Sequence, residues 1–282
     1  MYQVALPAQA LAPYIESYWC VYATEHAPMD LTVEVFVDVR PDLIFTFGAP
    51  YERSRLDGES LTIDHSNLDA QRLHPIRIAQ RGQVVCCGVR FHVGGLAPFV
   101  ERPVHLWNDR VVGLSEVFGA DANGLGEALQ SSKENVQLQK EIFDAFLLQR
   151  LRVKDGYQVF QALRAEIEAS NGEQSIDVVC RCNAISQRQL NRLFRAYLGF
   201  SPKTYSKVVR FQRALNLLKQ APGCTLAEIA AQCGYYDQPH FVREFKAYAG
   251  VAPKLRLGYY PAGAPTDFSP NLVQFVQDRP VE

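Results

Sequence analysis

The chain has 282 residues, is 48% hydrophobic, and nearly balances 29 Lys and Arg against 30 Asp and Glu. That length and composition suit two domains with real cores and exclude a disordered chain. No run approaches the ~18 to 20 apolar residues of a membrane span, and the opening residues lack a charged region followed by an apolar core, so no membrane segment and no signal peptide are expected. The seven cysteines are odd in number, and neither Cys86-Cys87 nor Cys180-x-Cys182 has zinc-finger spacing; reduced thiols in a cytoplasmic protein are predicted.

Residues 1–153 are predicted to form a sensor or dimerisation domain. An amphipathic opening (Leu11, Ile15, Tyr18, Trp19) leads into strand-like runs at Tyr18–Tyr22, Thr32–Val37, Asp42–Phe47 and Gln83–Phe91, separated by Pro, Gly and Asp. Such spacing predicts a small barrel or sandwich. A short helix is expected to begin in Leu96–Val100, and from Leu114 the period turns helical. Within Glu134–Arg152, Leu138, Ile142, Phe146 and Leu147 recur on one face, and Leu125–Leu129 offers an antiparallel partner. That face can cover the chain's own strands or a second subunit; periodicity leaves both open.

Lys154-Asp155-Gly156 is the predicted linker into a second domain, residues 154–260. Its first helix, Tyr157–Ala169, is expected to bury Val159, Leu163 and Ile167, and Ser170-Asn171-Gly172 stops it. Residues 261–282 form a tail with Phe268, Leu272, Phe275 and Val276, enough apolar surface to predict docking. Charge divides the chain: Asn171–Tyr260 holds 13 Lys and Arg against 5 Asp and Glu, while the remainder holds 16 against 25. A basic module on an acidic body predicts a polyanionic partner for that module.

The basic module contains one stretch twice. Ser186–Pro202 and Asp237–Pro253 align at an offset of 51, pairing Gln187 with Gln238, Arg192 with Arg243, Phe194 with Phe245, Tyr197 with Tyr248, Gly199 with Gly250 and Pro202 with Pro253. The same offset pairs Val178 with Ile229, Cys182 with Cys233 and Asn183 with Gly234. Two copies are too few for a solenoid and suit a duplicated helix-turn-helix. In the first copy Val178, Val179 and Cys182 are available to a core. Asn183 and Gly234 then supply left-handed corners, and Ser186 and Asp237 cap the following helices. Pro239 sits in a first turn, where a missing N–H costs little.

Each second helix puts aromatics on one face: Leu190, Phe194 and Tyr197, then Phe241, Phe245 and Tyr248. The other faces carry Gln187, Arg188, Asn191, Arg192 and Arg195, then Gln238, Pro239, His240, Val242, Arg243 and Lys246. Gln, Asn and Arg can pair with base edges in a major groove, and Val can meet a thymine methyl. Ser186, Arg195, Lys203, Lys246 and Lys254 suit phosphates. Arg and Gln on one helix's outer face are usually only solvated; the duplication inside a basic module raises the DNA reading above that. Between the copies, Pro202–Leu218 has no internal Pro or Gly and spans about 25 Å as a helix. With its neighbours it could hold two reading helices about one DNA turn, ~34 Å, apart.

Here the sequence resembles the AraC/XylS family of bacterial transcription regulators. The signature stands as Leu190, Arg192 and Phe194, Gly199-Phe-Ser-Pro202, Arg210 and Ala214, Leu226 with Ile229-Ala230, the run Gly234–Lys246, and Gly250-Val-Ala-Pro253. The resemblance covers about 90 residues. It implies two helix-turn-helix units joined by a long helix, double-stranded DNA and RNA polymerase as partners, and activation as the usual mode. It also implies base-reading roles for Arg188, Asn191 and Arg192, and for Gln238, Pro239, His240 and Arg243 by position; Gln187 and Val242 join the base-reading candidates from their place on the outer faces. Cys180 stands where the first unit usually has Ala, Arg256 where Tyr often follows the second turn, and Pro239 cannot donate to a base. The N-terminal region is loosely similar to the family's cupin-like sensor domains. The expected architecture is therefore α+β: a small cupin-like barrel with trailing helices, then an all-α domain.

No cofactor and no metal are expected. His26, His65, His74, His92 and His105 are scattered without an H-x-H pair, and G-x-S-x-G, P-loop and H-E-x-x-H motifs are absent from the sequence. A methyl-accepting repair enzyme joined to the DNA-binding unit is the enzyme alternative, but no activated cysteine is legible. A barrel could enclose a small effector, with Trp19, Tyr22, Phe36, Phe45 and Phe91 as candidate lining, though by alternation some must be plain core. Arg53 and Arg55 could meet an acidic ligand or lie on a solvated edge. Control by homodimerisation or a protein partner without ligand stays open.

Overall fold

The computed structural model describes residues 2–22, 29–50, 52–61, 66–132, 135–220 and 223–253. Among the described residues, nine strands come first. β1 (Tyr2–Ala5), β2 (Ile15–Tyr22), β8 (Val85–Phe91), β4 (Asp42–Thr46), β6 (Asn67–Asp69) and β9 (Val111–Gly113) form a six-stranded sheet in that order. β3 (Met29–Val35), β7 (Ile76–Gly82) and β5 (Glu52–Arg55) form a three-stranded sheet. All named pairings are antiparallel.

The expected barrel is not closed among the described residues. β1 and β9 are the two edges of the large sheet, and among the described residues they do not pair with each other. The layers instead face each other. The central strand β8 is buried throughout, because both faces of the large sheet are covered. Alternation sorts the side chains: Tyr18, Cys20, Leu43, Phe45 and Cys87 join the main core, while Trp19, Val21, Ile44 and Cys86 form a second cluster on the opposite face. Gly88 lies opposite Trp19, and a Cβ there would sit 2.5 Å from the indole, so the ring lies directly on the strand.

Three helices cover the main-core face: α1 (Leu114–Phe118), α2 (Asp121–Ser131) and α3 (Val136–Arg150). α3 is rotated from its predicted face. Gln139, Phe143 and Leu147 are buried, whereas Leu138 is 43% exposed and Ile142 and Phe146 are half-buried. The ring of Phe143 packs on Tyr18 and Phe45, and Asp144 accepts a hydrogen bond from the Tyr18 hydroxyl at 2.7 Å. A polar Gln and Asp thus sit on the inner face, one residue off the apolar count. Arg53 also departs from a solvated edge: it is 1% exposed, between the sheets, with its Nε 4.0 Å from Asp69.

The remaining helices are α4 (Tyr157–Ala169), α5 (Ile176–Cys182), α6 (Gln187–Tyr197), α7 (Pro202–Gln220), α8 (Leu226–Gln232) and α9 (Gln238–Ala249). α4 buries Tyr157, Phe160, Leu163 and Ile167; Val159, predicted inward, is 47% exposed. The reason is Phe160, whose ring lies against Gly94 of the N-terminal layer and edge-on to Phe194 at 5.1 Å. Tyr157 similarly touches Tyr14 on one side and Tyr197 on the other. A continuous apolar core therefore runs from the sheets through α4 into both helical units. Lys154 and Asp155, read as a linker, both accept hydrogen bonds from the Tyr197 hydroxyl, at 3.1 and 2.7 Å.

Candidate nucleic-acid interface

The first unit is α5 and α6, the second α8 and α9. Their first helices align at an offset of 50, not 51. Ser175 and Thr225 cap them, Val179 and Ile229 are fully buried, and Cys180 pairs with Ala230. Cys180 thus occupies the small buried position, while Cys182, expected in the core, is exposed. The left-handed corner falls on Ala184 (φ 51°) rather than Asn183, matching Gly234 (φ 68°). The backbone closes both corners alike, Ile185 N–H to Cys180 carbonyl and Tyr235 N–H to Ala230 carbonyl. The second turn then holds one extra residue, Tyr236, which is 93% exposed. After it the offset is 51, as the duplicated second helices show.

Both second helices begin at firm caps. The Ser186 hydroxyl accepts from Gln189 N–H at 3.2 Å while the Gln189 side chain takes Ser186 N–H at 2.9 Å, a reciprocal box. Asp237 accepts from His240 N–H at 2.6 Å. Leu190, Phe194 and Tyr197 turn inward, as do Phe241, Phe245 and the half-buried Tyr248. The predicted outer residues face outward to differing degrees. Arg188, Arg192 and Arg195 are exposed; Gln187 is exposed and donates to Asp177; Asn191 is half-buried and donates to Gln187 carbonyl at 2.8 Å. On α9, Gln238, Pro239, Arg243 and Lys246 are exposed, and His240 and Val242 are half-buried. Lys203 is exposed at the start of α7, and Lys254 lies outside the described residues, as do Arg256 and the tail 261–282.

Glu244 sits beneath the second unit, buried, with Lys207 at 3.3 Å, Arg210 at 3.5 Å and His240 at 3.8 Å. Arg210 also lies over the Tyr235 ring at 5.2 Å. This knot ties α9 to α7. The spacing of Arg210 and Glu244 gave no sign of it, because the two are 34 residues apart. Sequence reasoning also missed Tyr236 and Arg181, both exposed within the two helix-turn-helix units. Unbroken register from the second helices hid the extra residue.

The five aromatic candidates for an effector separate. Phe45 and Phe91 are fully buried in the main core, and Phe36 is buried edge-on to Phe211 of α7 at 6.4 Å. Tyr22 is half-buried, its hydroxyl accepting from Gln139 at 3.2 Å. Trp19 alone of the five lines a described cavity, about 40 Å³ between the sheets, with Arg53, Arg72, Arg90, Asp42 and Asp69. There Arg90 grips Asp42 through two nitrogens, at 3.0 and 2.7 Å. Burial pushes the Asp42 carboxyl up against the pull of Arg90. A larger cavity, about 240 Å³, lies between the sheet layer and α4 and α7, lined by Glu16, Asp38, Arg40, His92, Arg164 and Tyr205 among others. Cys87 is fully buried and its thiol is pushed well up by burial, the opposite of an activated nucleophile.

Residues 179–255 match the family described as helix-turn-helix domain, and residues 3–113 match a domain of unknown function (DUF6597). The HTH-type transcriptional regulator GbdR of Pseudomonas aeruginosa is 32% identical over 149 residues, covering 48% of this chain and 40% of GbdR. The C-terminal domain is an AraC-type helix-turn-helix domain. YidL of Escherichia coli, an HTH-type transcriptional regulator, is 40% identical over 86 residues, 30% of this chain and 28% of YidL. The match spans less than half the length of these curated relatives. Among solved structures, ToxT of Vibrio cholerae covers 86% of this chain and 98% of its own, with 12% identity and a TM-score of 0.47. A probable AraC family regulator of Rhodopseudomonas palustris covers 36% of this chain and 95% of its own, with 30% identity and a TM-score of 0.33. The helix-turn-helix match takes in α6, α9 and the whole of α7.

Proposed function

We propose that the protein is a sequence-specific transcription regulator that binds double-stranded DNA through both helix-turn-helix units. The observation that carries this is the duplicated reading helix: two capped helices with buried aromatic faces and exposed Arg, Gln and Lys faces, joined by one long helix. The exposed Arg188, Arg192 and Arg243 are assigned to base edges, with Gln187, Asn191, Gln238, His240 and Val242 beside them; Pro239 contributes shape without a hydrogen bond. Ser186, Arg195, Lys203, Lys246 and Lys254 are assigned to phosphates.

The N-terminal domain is the responsive part in this proposal. The polar cavity between the layers gives a small effector room where both domains would feel it. The exposed Leu138 and Leu148 of α3 support pairing of two copies as the competing mode of control. Activation, with RNA polymerase as partner, follows the family resemblance. No helix among the described residues is long and apolar enough to cross a membrane.

The test is selection of the full chain on a random duplex library at fixed salt, with Arg192→Ala and Arg243→Ala beside it. The expected result is an enriched motif with two half-sites about one turn apart, each weakened by its own variant by about 1–3 kcal/mol. Salt-sensitive binding without any motif would reduce the basic face to phosphate neutralisation.

A further inference from the structure

We infer that the N-terminal domain sets the spacing between the two reading helices, by gripping the equivalent turn of each unit, and that Asn108 and Leu56 are the positioning residues. The inference rests on the DNA-reading proposal for its purpose, but not for its geometry.

The equivalent turns are those at Gly199 and Gly250, 51 residues apart, where each reading helix ends. Both glycines have positive φ, 83° and 75°. At the first, the Asn108 amide donates to Gly199 carbonyl at 2.9 Å. Its oxygen accepts from Gln71 at 2.7 Å, and Gln71 in turn donates to Val104 carbonyl at 3.2 Å, so the amide is fixed from behind. A Cβ on Gly199 would lie 2.5 Å from the Asn108 oxygen. At the second, a Cβ on Gly250 would lie 2.2 Å from a Leu56 methyl and 3.3 Å from Pro75. Beside it, Val37 N–H donates to Tyr248 carbonyl at 3.4 Å. Midway, Phe36 meets Phe211 of the connecting helix.

α7 packs on both second helices through Tyr205 and Phe211 and is tied to α9 through Glu244, but it is a single support, and a small rotation of either unit about it carries far. A pivot of about 10° on a lever of about 20 Å moves a side chain by roughly 3.5 Å, about one base-pair step. A third body that touches both far turns closes the triangle and removes that freedom. The N-terminal domain makes those two contacts, one through a hydrogen bond and one through apolar packing, and they add to the hold that α7 has on α9 through Glu244.

The first readout needs no DNA. In the full chain with Cys182→Ser and Cys224→Ser, spin labels are placed on the exposed, equivalent Ala196→Cys and Ala247→Cys, and the distance distribution is measured. A narrow distribution is expected, broadened by Asn108→Ala and by Leu56→Ala with circular dichroism unchanged, and narrowed again by Leu56→Met. An equally narrow distribution at the same mean in both alanine variants overturns the inference. The second readout shifts the selected half-sites by one base pair. The full chain should lose about tenfold in affinity and the alanine variants only about threefold. A broadened distribution in variants of a protein that selects no motif would keep the clamp and discard the DNA reading. Equal tenfold losses in all three would leave α7 as the ruler and reject the clamp.

Discussion

The two helix-turn-helix units bury the same pattern and hold their outer faces differently. In the first, three guanidiniums stand exposed on α6, and its aromatic face continues through Phe160 into the N-terminal layer. In the second, α9 offers Arg243 and Lys246, while a buried carboxylate, Glu244, engages His240 from below and ties the helix back to α7. The inner face of a duplicated helix is held by packing, where a misfit costs kilocalories. The outer face is free to diverge, because a solvated side chain costs little to exchange. The first unit thus has the more cationic outer helix face, and the second the more internally committed one.

The largest expected effect separates their anchorage. Phe194→Ala and Phe241→Ala should each cost about 3–5 kcal/mol in denaturant unfolding. Phe194→Ala should also speed amide exchange in the N-terminal strands next to Gly94, whereas Phe241→Ala should confine faster exchange to 223–253. Identical exchange patterns in the two would break the comparison. Removal of the caps comes next, at about 1 kcal/mol for Ser186→Ala or Asp237→Ala. A much smaller loss for Ser186→Ala, despite its reciprocal box, would show that α6 is held by its aromatic face alone.

The smallest perturbation is chemical. With a disulfide reagent on the native protein, Cys182 of the first unit should react first because it is exposed. Cys233 of the second unit should react far more slowly than Cys182: it is fully buried, and burial pushes its thiol up to about 11, so little thiolate exists near neutral pH. Equal rates would mean that the second unit opens readily in solution.

Much of the helical domain was legible in the sequence, because duplication converts weak periodic signals into a repeated one. Phe194 and Phe245 recur with their neighbours, and their inward faces followed. The failures share a cause. Leu138 on α3 and Val159 on α4 obey the period yet face out, since Gln139 and Phe160 have partners in Tyr22 and Gly94 that lie far away along the chain. Arg53 reads as an edge residue until a second sheet covers it. The open sheet was equally hidden, because strand runs reveal alternation and say nothing about which edges meet. Of the proposed interface, residue types and helix ends were readable; the hold of Glu244 on α9 was not.

The extra Tyr236 has a consequence for anyone rebuilding the domain. The units are not cassettes with one repeat length: upstream of the corner the period is 50, and downstream it is 51. A chimera that exchanges reading specificities must be joined at the caps, Ser186 and Asp237, where the two frames agree with the helices that follow. A junction placed before the corner, at a constant 51, would start the transplanted segment one position out of step with its host helix. Its buried side chains would be turned by about 100°, a full misphasing of the graft.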